Sequence, residues 1–360
     1  MDSPRFRALG LALLVCCAGC SGVGAPRATT AQAPQAAEAT RAAQAAVRPP
    51  GQAAEELQGD FQRVIKDVLP SVVQIETDSG LGSGVVYDGG GHIVTNAHVV
   101  ADGRTFRVTT ANSKKPLTAT LVSAYPEQDL AVVKLDSVPA GLRAASFGDS
   151  SKVQVGQVVL AMGSPLGLAS SVTEGIVSAT GRTVSEGSDG GGTGATLANM
   201  VQTSAAINPG NSGGALVGLD GRIIGIPTLA ATDPQLGGGA APGIGFAIPA
   251  STVRTIADQI VRSGRVTDSG RAALGITGRT FVDADFQPAG VVVVEVKSGG
   301  AAEKAGIGPG DVIVRLGDTD ITTITSLTEA LAEEKPGDRT TVTYTHNGKE
   351  KTARVTLGEQ

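Results

Sequence analysis

Residues 207–216 read I-N-P-G-N-S-G-G-A-L, one hydroxyl, Ser212, framed by Gly210, Gly213 and Gly214. Glycine lets the backbone turn sharply, so that successive N–H groups can converge on one point beside the serine Oγ. Such a nest suits the negative oxygen that develops in acyl transfer, and the N–H groups of Gly210 and Ser212 are best placed to supply it. A hydroxyl is a weak nucleophile at its own pKa, so this chemistry also needs a base and a carboxylate to orient that base. With 50 glycines in 360 residues, a glycine-framed serine is also what an ordinary turn looks like. Residues upstream have to separate the two.

The chain has three histidines. His92 follows a run of glycines and His346 adjoins Asn347-Gly348, so both read as turn residues. His98 lies in T-N-A-H-V-V, directly after the apolar run 93–95, where a strand end would hold an imidazole firmly. Asp129 precedes the apolar run L-A-V-V, and a carboxylate at the edge of a core needs a partner. Taken along the chain, His98, Asp129 and Ser212 each stand at the edge of a strand, in the order of a chymotrypsin-type triad.

Around these residues, from 72 to 248, short β-rich runs are separated by Gly, Pro, Asp and Asn, which predicts an all-β barrel or sandwich. Ahead of it, 61–69 has helical spacing and stops at Pro70. A helix closes the region: Ser251 as N-cap, Val253, Ile256, Ala257 and Ile260 as an apolar stripe, Gly264 just past its end. A polar connection, 266–271, leads to a second module over 272–357, with strands at 291–296 and 312–316, helices at 301–305 and 326–334, and a hairpin turning at Asn347-Gly348.

The composition removes other classes. At 41% hydrophobic residues and no Trp, Val, Ile, Leu and Ala must fill the cores. A formal charge of −5, without a basic run or stacking aromatics, excludes a nucleic-acid partner. No His/Cys/Asp/Glu cluster has metal-ligand spacing, and Gly190–Gly194 lacks the lysine of a phosphate loop, so no metal and no cofactor are expected. Arg5 and Arg7 precede an apolar run ending L-V-C-C-A-G-C-S-G, which resembles a bacterial lipoprotein signal with Cys20 as the lipidated residue. All three cysteines lie at 16–20, so the mature chain carries no disulfide. Residues 21–57, rich in Ala, Gln and Pro, read as a disordered tether.

T-N-A-H-V-V, D-L-A-V and I-N-P-G-N-S-G-G-A-L, with M-G-S-P-L-G, V-T-E-G-I-V-S and G-I-G-F-A-I-P, resemble the HtrA (Deg) family of serine proteases. A-L-G-I at 273–276 and A-G-I-G-P-G-D-V-I at 305–313 resemble a PDZ domain. The resemblance implies a mainly β fold: a chymotrypsin-like double β-barrel over 58–264, then a small α+β PDZ domain over 272–358. It implies catalysis by His98, Asp129 and Ser212, an oxyanion hole from Gly210 and Ser212, and a substrate groove bordered by the segment holding Pro227 and Thr228. It implies a PDZ carboxylate loop at Leu274, Gly275 and Ile276 that receives C-terminal peptides as an added strand. A homotrimer formed near Phe61, and attachment outside the cytoplasmic membrane through the lipid anchor, are implied in the same way. Ser204 stands where the family usually has Asp, and Pro227 where Asn is common. Residues 203–209 contain no acidic residue and Ile207 suggests a small apolar pocket, so cleavage after small aliphatic residues of unfolded or misfolded polypeptides is expected. A catalytically silent chaperone or peptide-binding scaffold is the alternative that the sequence leaves open.

Overall fold

The computed structural model describes residues 50–359 apart from 79, 112–114, 165–170, 186–194, 209 and 234–238. The signal-like segment with Cys20, most of the expected tether and Gly190–Gly194 lie outside the described residues. Glu56–Gln360 form one compact unit.

The first closed barrel comprises β1 (Val72–Thr77), β2 (Gly80–Val86), β3 (His92–Thr95), β4 (Thr105–Thr109), β5 (Leu117–Tyr125) and β6 (Leu130–Leu135), in the order β1-β2-β3-β6-β5-β4. The second comprises β7 (Val158–Gly163), β8 (Ser171–Ser185), β9 (Thr196–Thr203), β10 (Ala215–Gly218), β11 (Ile223–Asp233) and β12 (Gly239–Pro249), in the order β10-β11-β12-β9-β8-β7. Helix α1 (Pro50–Val68) precedes the barrels, α2 (Ala97–Val100) follows β3, and α3 (Ala250–Ser263) follows β12.

Period-two alternation explains why several strands read as unbroken apolar runs: both of their faces are buried. Val73, Ile75, Ala131 and Val133 fill the first barrel, and Val159, Ala161 and Leu216 fill the second. Their neighbours Val72, Leu130, Val132, Leu160, Met162, Ala215 and Val217 point outward into a third cluster, the seam between the barrels. Val253, Ile256, Ala257 and Ile260 of α3 enter the same seam, as do Val64 and Val68 of α1. Each fully buried Val, Leu or Ile contributes about 1.5–3 kcal/mol, so the seam is a core in its own right.

The second module is built on β14 (Ile276–Val282), β15 (Pro288–Val296), β16 (Val312–Leu316), β18 (Arg339–His346) and β19 (Lys349–Thr356), paired in that order. Short strands β13 (Ala272–Ala273), β17 (Thr319–Asp320) and β20 (Gly358–Glu359) flank it, with helices α4 (Ala301–Lys304) and α5 (Ile324–Ala332). The β18–β19 hairpin turns through Asn347 at φ 49° and Gly348 at φ 73°, the two left-handed residues that its Asn-Gly sequence predicts.

Three local expectations need correction. The first helix begins at Pro50, inside the stretch read as tether, because the helix formers of 52–57 extend the turn that Phe61, Val64 and Ile65 anchor. Pro249, not Ser251, is the N-cap of α3, since Ser251 is already helical and its N–H and hydroxyl both bond the Ser150 hydroxyl. Strands β8, β9 and β12 were not legible from periodicity, because glycines break the alternation in β8 and β12 and polar residues break it in β9.

Candidate active site

The first barrel supplies a His–Asp pair at its strand ends. Helix α2 is a single turn, and its second residue, His98, projects toward a loop that ends in a 3₁₀ turn, Pro126–Gln128. Asp129 leaves that turn in the left-handed conformation, φ 47° and ψ 43°, which Asp tolerates better than most residues but at a cost of roughly 1–3 kcal/mol. The surroundings hold it there. Asp129 N–H donates to the Pro126 carbonyl at 3.0 Å, and Asn96 Nδ2 donates to the Asp129 carbonyl at 2.9 Å.

The Asp129 side chain is fully buried, so its charge depends on hydrogen bonds for compensation. His98 N–H donates to Oδ1 at 2.9 Å, and His98 Nδ1 lies 3.0 Å from Oδ1 and 2.9 Å from Oδ2. Thr228 Oγ1 donates to Oδ2 from the opposite barrel. With its proton on Nδ1, the imidazole satisfies the carboxylate and keeps a lone pair on Nε2, the tautomer that a general base requires.

Ser212 comes from the second barrel, on the turn between β9 and β10. Its Oγ donates to the Thr228 carbonyl at 3.1 Å, so Thr228 touches the carboxylate with its side chain and the serine with its backbone. The turn is tightly wound. Asn211 N–H donates to Asn208 O at 3.1 Å, Gly213 N–H to Pro227 O at 2.9 Å and Gly214 N–H to Asn211 O at 3.0 Å. Among the described residues, the N–H groups of the turn not taken up in this way are those of Gly210 and Ser212. Gly213 has φ +79°, and a Cβ there would lie 2.2 Å from Ser83 O and 2.4 Å from Thr95 Oγ1, so the strand–turn contact excludes any side chain. The Asn211 amide braces the loop from within, bonding Asn208 N–H at 3.1 Å and Ala206 O at 3.0 Å.

Ile207 is 7% exposed and packs among Val201, Ala205, Leu216 and Ala247. A Cβ at Gly245 would meet Ile207 Cγ1 at 2.3 Å, so the two positions are matched in size. The Thr228 side chain, expected beside the substrate, is instead 3% exposed and turned to Asp129. Ser204, where a carboxylate was missed, accepts from Ile176 N–H at 3.0 Å, so a hydroxyl makes a contact from that position. His92 is paired with Asp88 at 2.7 Å and His346 with Asp311 at 2.6 Å, both away from Ser212 in the chain fold. Among the described residues no group of His, Cys, Asp and Glu could hold a metal ion.

Leu274, Gly275 and Ile276 line a groove with Ile324, Leu327 and Leu331 of α5. β14 is the edge strand of its sheet, so the side of the groove carries unpaired backbone groups. Thr196 of β9 also lines this groove, and α5 packs against β8 and β9.

Sequence reasoning passed over Ser83, Thr95 and Asn96, and it assigned Thr228 to the groove. G-S-G at 82–84 carried a signal, since the flanking glycines let Val99, Ile93 and Ile75 close over β2, as side chains at those positions could not.

The trypsin-like peptidase domain family matches residues 82–226, and the PDZ domain family matches 266–357. Serine protease PepD of Mycobacterium tuberculosis is 39% identical over 334 residues, spanning 88% of this chain and 69% of the relative. Serine protease Do-like HtrA of Lactococcus lactis subsp. cremoris is 39% identical over 297 residues, 78% of this chain and 71% of its own length. The periplasmic pH-dependent serine endoprotease DegQ of Escherichia coli is 34% identical over 322 residues, 87% and 67% of the two chains. Among solved structures, the HtrA-type protease AlgW with decapeptide aligns at TM-score 0.59 and 29% identity, covering 83% of this chain and 98% of that one. The serine endoprotease from Yersinia pestis aligns at TM-score 0.57 and 33% identity, with coverage of 83% and 98%.

Proposed function

The chain belongs to the HtrA family of serine proteases, with a trypsin-like domain followed by a PDZ domain, and from that premise we propose that it cleaves polypeptides through an acyl-enzyme on Ser212. His98 Nε2 takes the serine proton as Oγ attacks the scissile carbonyl and later returns it to the leaving amine. Asp129 fixes the Nδ1–H tautomer and stabilises the imidazolium. The N–H groups of Gly210 and Ser212 bind the oxyanion. One observation supports this above the others: Thr228 bridges the barrels at the site, its hydroxyl donating to Asp129, which in turn binds His98, and its backbone carbonyl accepting from the Ser212 hydroxyl.

The substrates are unfolded or misfolded polypeptides cleaved after small aliphatic residues. Ile207 against Gly245 supports a shallow apolar pocket, since a hydrophobic site discriminates by the methylenes it can admit, at about 1–3 kcal/mol each. The PDZ groove takes C-terminal peptides, their carboxylate on the loop Leu274–Ile276 and their strand along the open edge of β14. The location is extracytoplasmic, as the names of the periplasmic relatives suggest, with Cys20 as a lipid anchor and three copies associating near Phe61.

Hydrolysis of a peptide series varied at the residue before the cleaved bond tests this, run with the full chain and with Ser212→Ala. Cleavage after Val and Ala, absent in Ser212→Ala, is expected. Turnover that survives the substitution would overturn the mechanism, and peptide capture without turnover by the wild type would favour the silent chaperone. Cys20→Ala should move the protein from the membrane fraction to the soluble or unprocessed one, and a variant still lipid-modified would exclude Cys20 as the anchor site.

A further inference from the structure

Ser83 lies on β2 in the first barrel, 0% exposed, with every polar group engaged. Its N–H donates to the Ser212 carbonyl at 3.0 Å, and its hydroxyl donates to the Gly210 carbonyl at 2.5 Å. The same hydroxyl accepts from Ser164 N–H at 2.8 Å, and the Ser83 carbonyl accepts from Thr95 Oγ1 at 2.7 Å. One residue of the first barrel therefore grips two carbonyls of the nucleophile turn in the second, and is itself held by β3 and by the end of β7.

The two gripped carbonyls are not arbitrary. The oxyanion donors, Gly210 N–H and Ser212 N–H, belong to the peptides 209–210 and 211–212. Ser83 holds the carbonyls of the alternate peptides, 210–211 and 212–213. The 210–211 peptide is fixed at both ends, its carbonyl by Ser83 and its N–H by the Asn208 carbonyl. Gly210 sits at φ +105°, a conformation open to glycine that leaves this segment the fewest steric restraints of its own. A hydrogen bond from outside the turn has to supply what a side chain would otherwise enforce.

We propose that Ser83 is the positioning residue for the oxyanion hole, its hydroxyl fixing the peptide that separates the two oxyanion donors. This rests on Ser212 being the nucleophile with Gly210 and Ser212 as donors. Ser83 touches no reacting atom. It acts by keeping two N–H groups aimed at the position that the carbonyl oxygen reaches in the tetrahedral state, where preorganisation matters more than in the bound ground state. A hydroxyl that merely satisfied buried groups would have no preference between those states.

The test uses the full chain carrying Ser83→Ala, with Ser83→Cys as a near-isosteric partner that retains a weak donor. Turnover of a small-aliphatic peptide is measured beside the affinity of a peptidyl boronate, which forms a tetrahedral adduct on the serine, and of the same peptide ending in a methylamide, which does not. Ser83→Ala should lower kcat about 10- to 100-fold, somewhat less than removal of a whole donor, with KM within about twofold. Boronate affinity should fall in step with kcat/KM, methylamide affinity should hold, and Ser83→Cys should lie between. A folded Ser83→Ala with wild-type turnover and boronate affinity would overturn the proposal, as would equal losses for boronate and methylamide. If Ser83→Ala does not fold, the same comparisons on Ser83→Cys decide, with no selective boronate loss counting against it. A wild type that neither turns over peptide nor binds boronate would instead overturn the proposed function.

Discussion

At the scale of single residues, the site works by holding unfavourable groups in place from several directions. Asp129 is buried, charged and left-handed, and it persists because His98, Thr228 and Asn96 all bind it. Asp129→Asn would retain the shape and backbone conformation but donate where the carboxylate accepts, favouring the wrong imidazole tautomer. Turnover should fall by about 10⁴-fold while the thermal midpoint changes little, and a peptide assay beside a melting curve checks both. Gly213→Ala should fail differently. Its Cβ would press on Ser83 O at 2.2 Å and on Thr95 Oγ1 at 2.4 Å in a positive-φ conformation. Left-handed strain and overpacking together predict about 2–5 kcal/mol of destabilisation with loss of activity, measurable by denaturant unfolding and by reaction with a fluorophosphonate. His98, Asp129 and Ser212 were each visible as chemistry at a strand edge. Ser83 and Thr228 were not, because a serine or threonine acquires its function from a partner far along the chain: Ser83 meets Gly210 at a separation of 127 residues and Thr228 meets Asp129 at 99.

At the scale of elements, helix α3 is the strut that joins the barrels. Its stripe of Val253, Ile256, Ala257 and Ile260 enters the seam beside Leu130 and Val132 of β6 and Ile223 and Ile226 of β11. That stripe was legible because helical spacing survives in a single short window. So were the strands buried on both faces, such as β6 and β7, which read as continuous aliphatic runs. β8 and β12 were lost because Gly175 and Gly245 interrupt the run for reasons of close packing that appear only in three dimensions, as where Gly175 abuts the Ala205 backbone, while Gly243 takes a left-handed φ of 73° in open space. Ile256→Ala removes a side chain that is 0% exposed and touches the core shared by both barrels. A cost of about 2–5 kcal/mol is expected, and because the seam is common property the barrels should unfold in one transition. Calorimetry resolving two separate transitions already in the wild type would show that α3 does not couple them.

Across the whole molecule, the PDZ module is tied to the protease domain rather than strung from it. Gln259 of α3 accepts Thr267 N–H at 3.0 Å and Asp268 N–H at 2.8 Å, while its amide donates to the Thr255 and Asp268 carbonyls. The connection read as a short polar linker is thus clasped by one side chain, a role that composition cannot reveal since Gln259 is simply a polar residue on an amphipathic helix. Gln259→Ala should free residues 265–271 and raise the rate of proteolytic nicking there severalfold, with peptide turnover largely kept because the proposed catalytic residues, His98, Asp129 and Ser212, all lie before the clasp. An unchanged nicking rate would place the restraint in the packing of α5 on β8 and β9 instead. The most direct measurement on the whole account is the site of covalent capture. The full chain is treated with a fluorophosphonate, digested and analysed by mass spectrometry, beside His98→Ala and Ser212→Ala. One adduct on Ser212 of the wild type is predicted, with none in Ser212→Ala and capture slowed by orders of magnitude in His98→Ala. A wild-type adduct on another residue, or equal labelling of all three proteins, would contradict it.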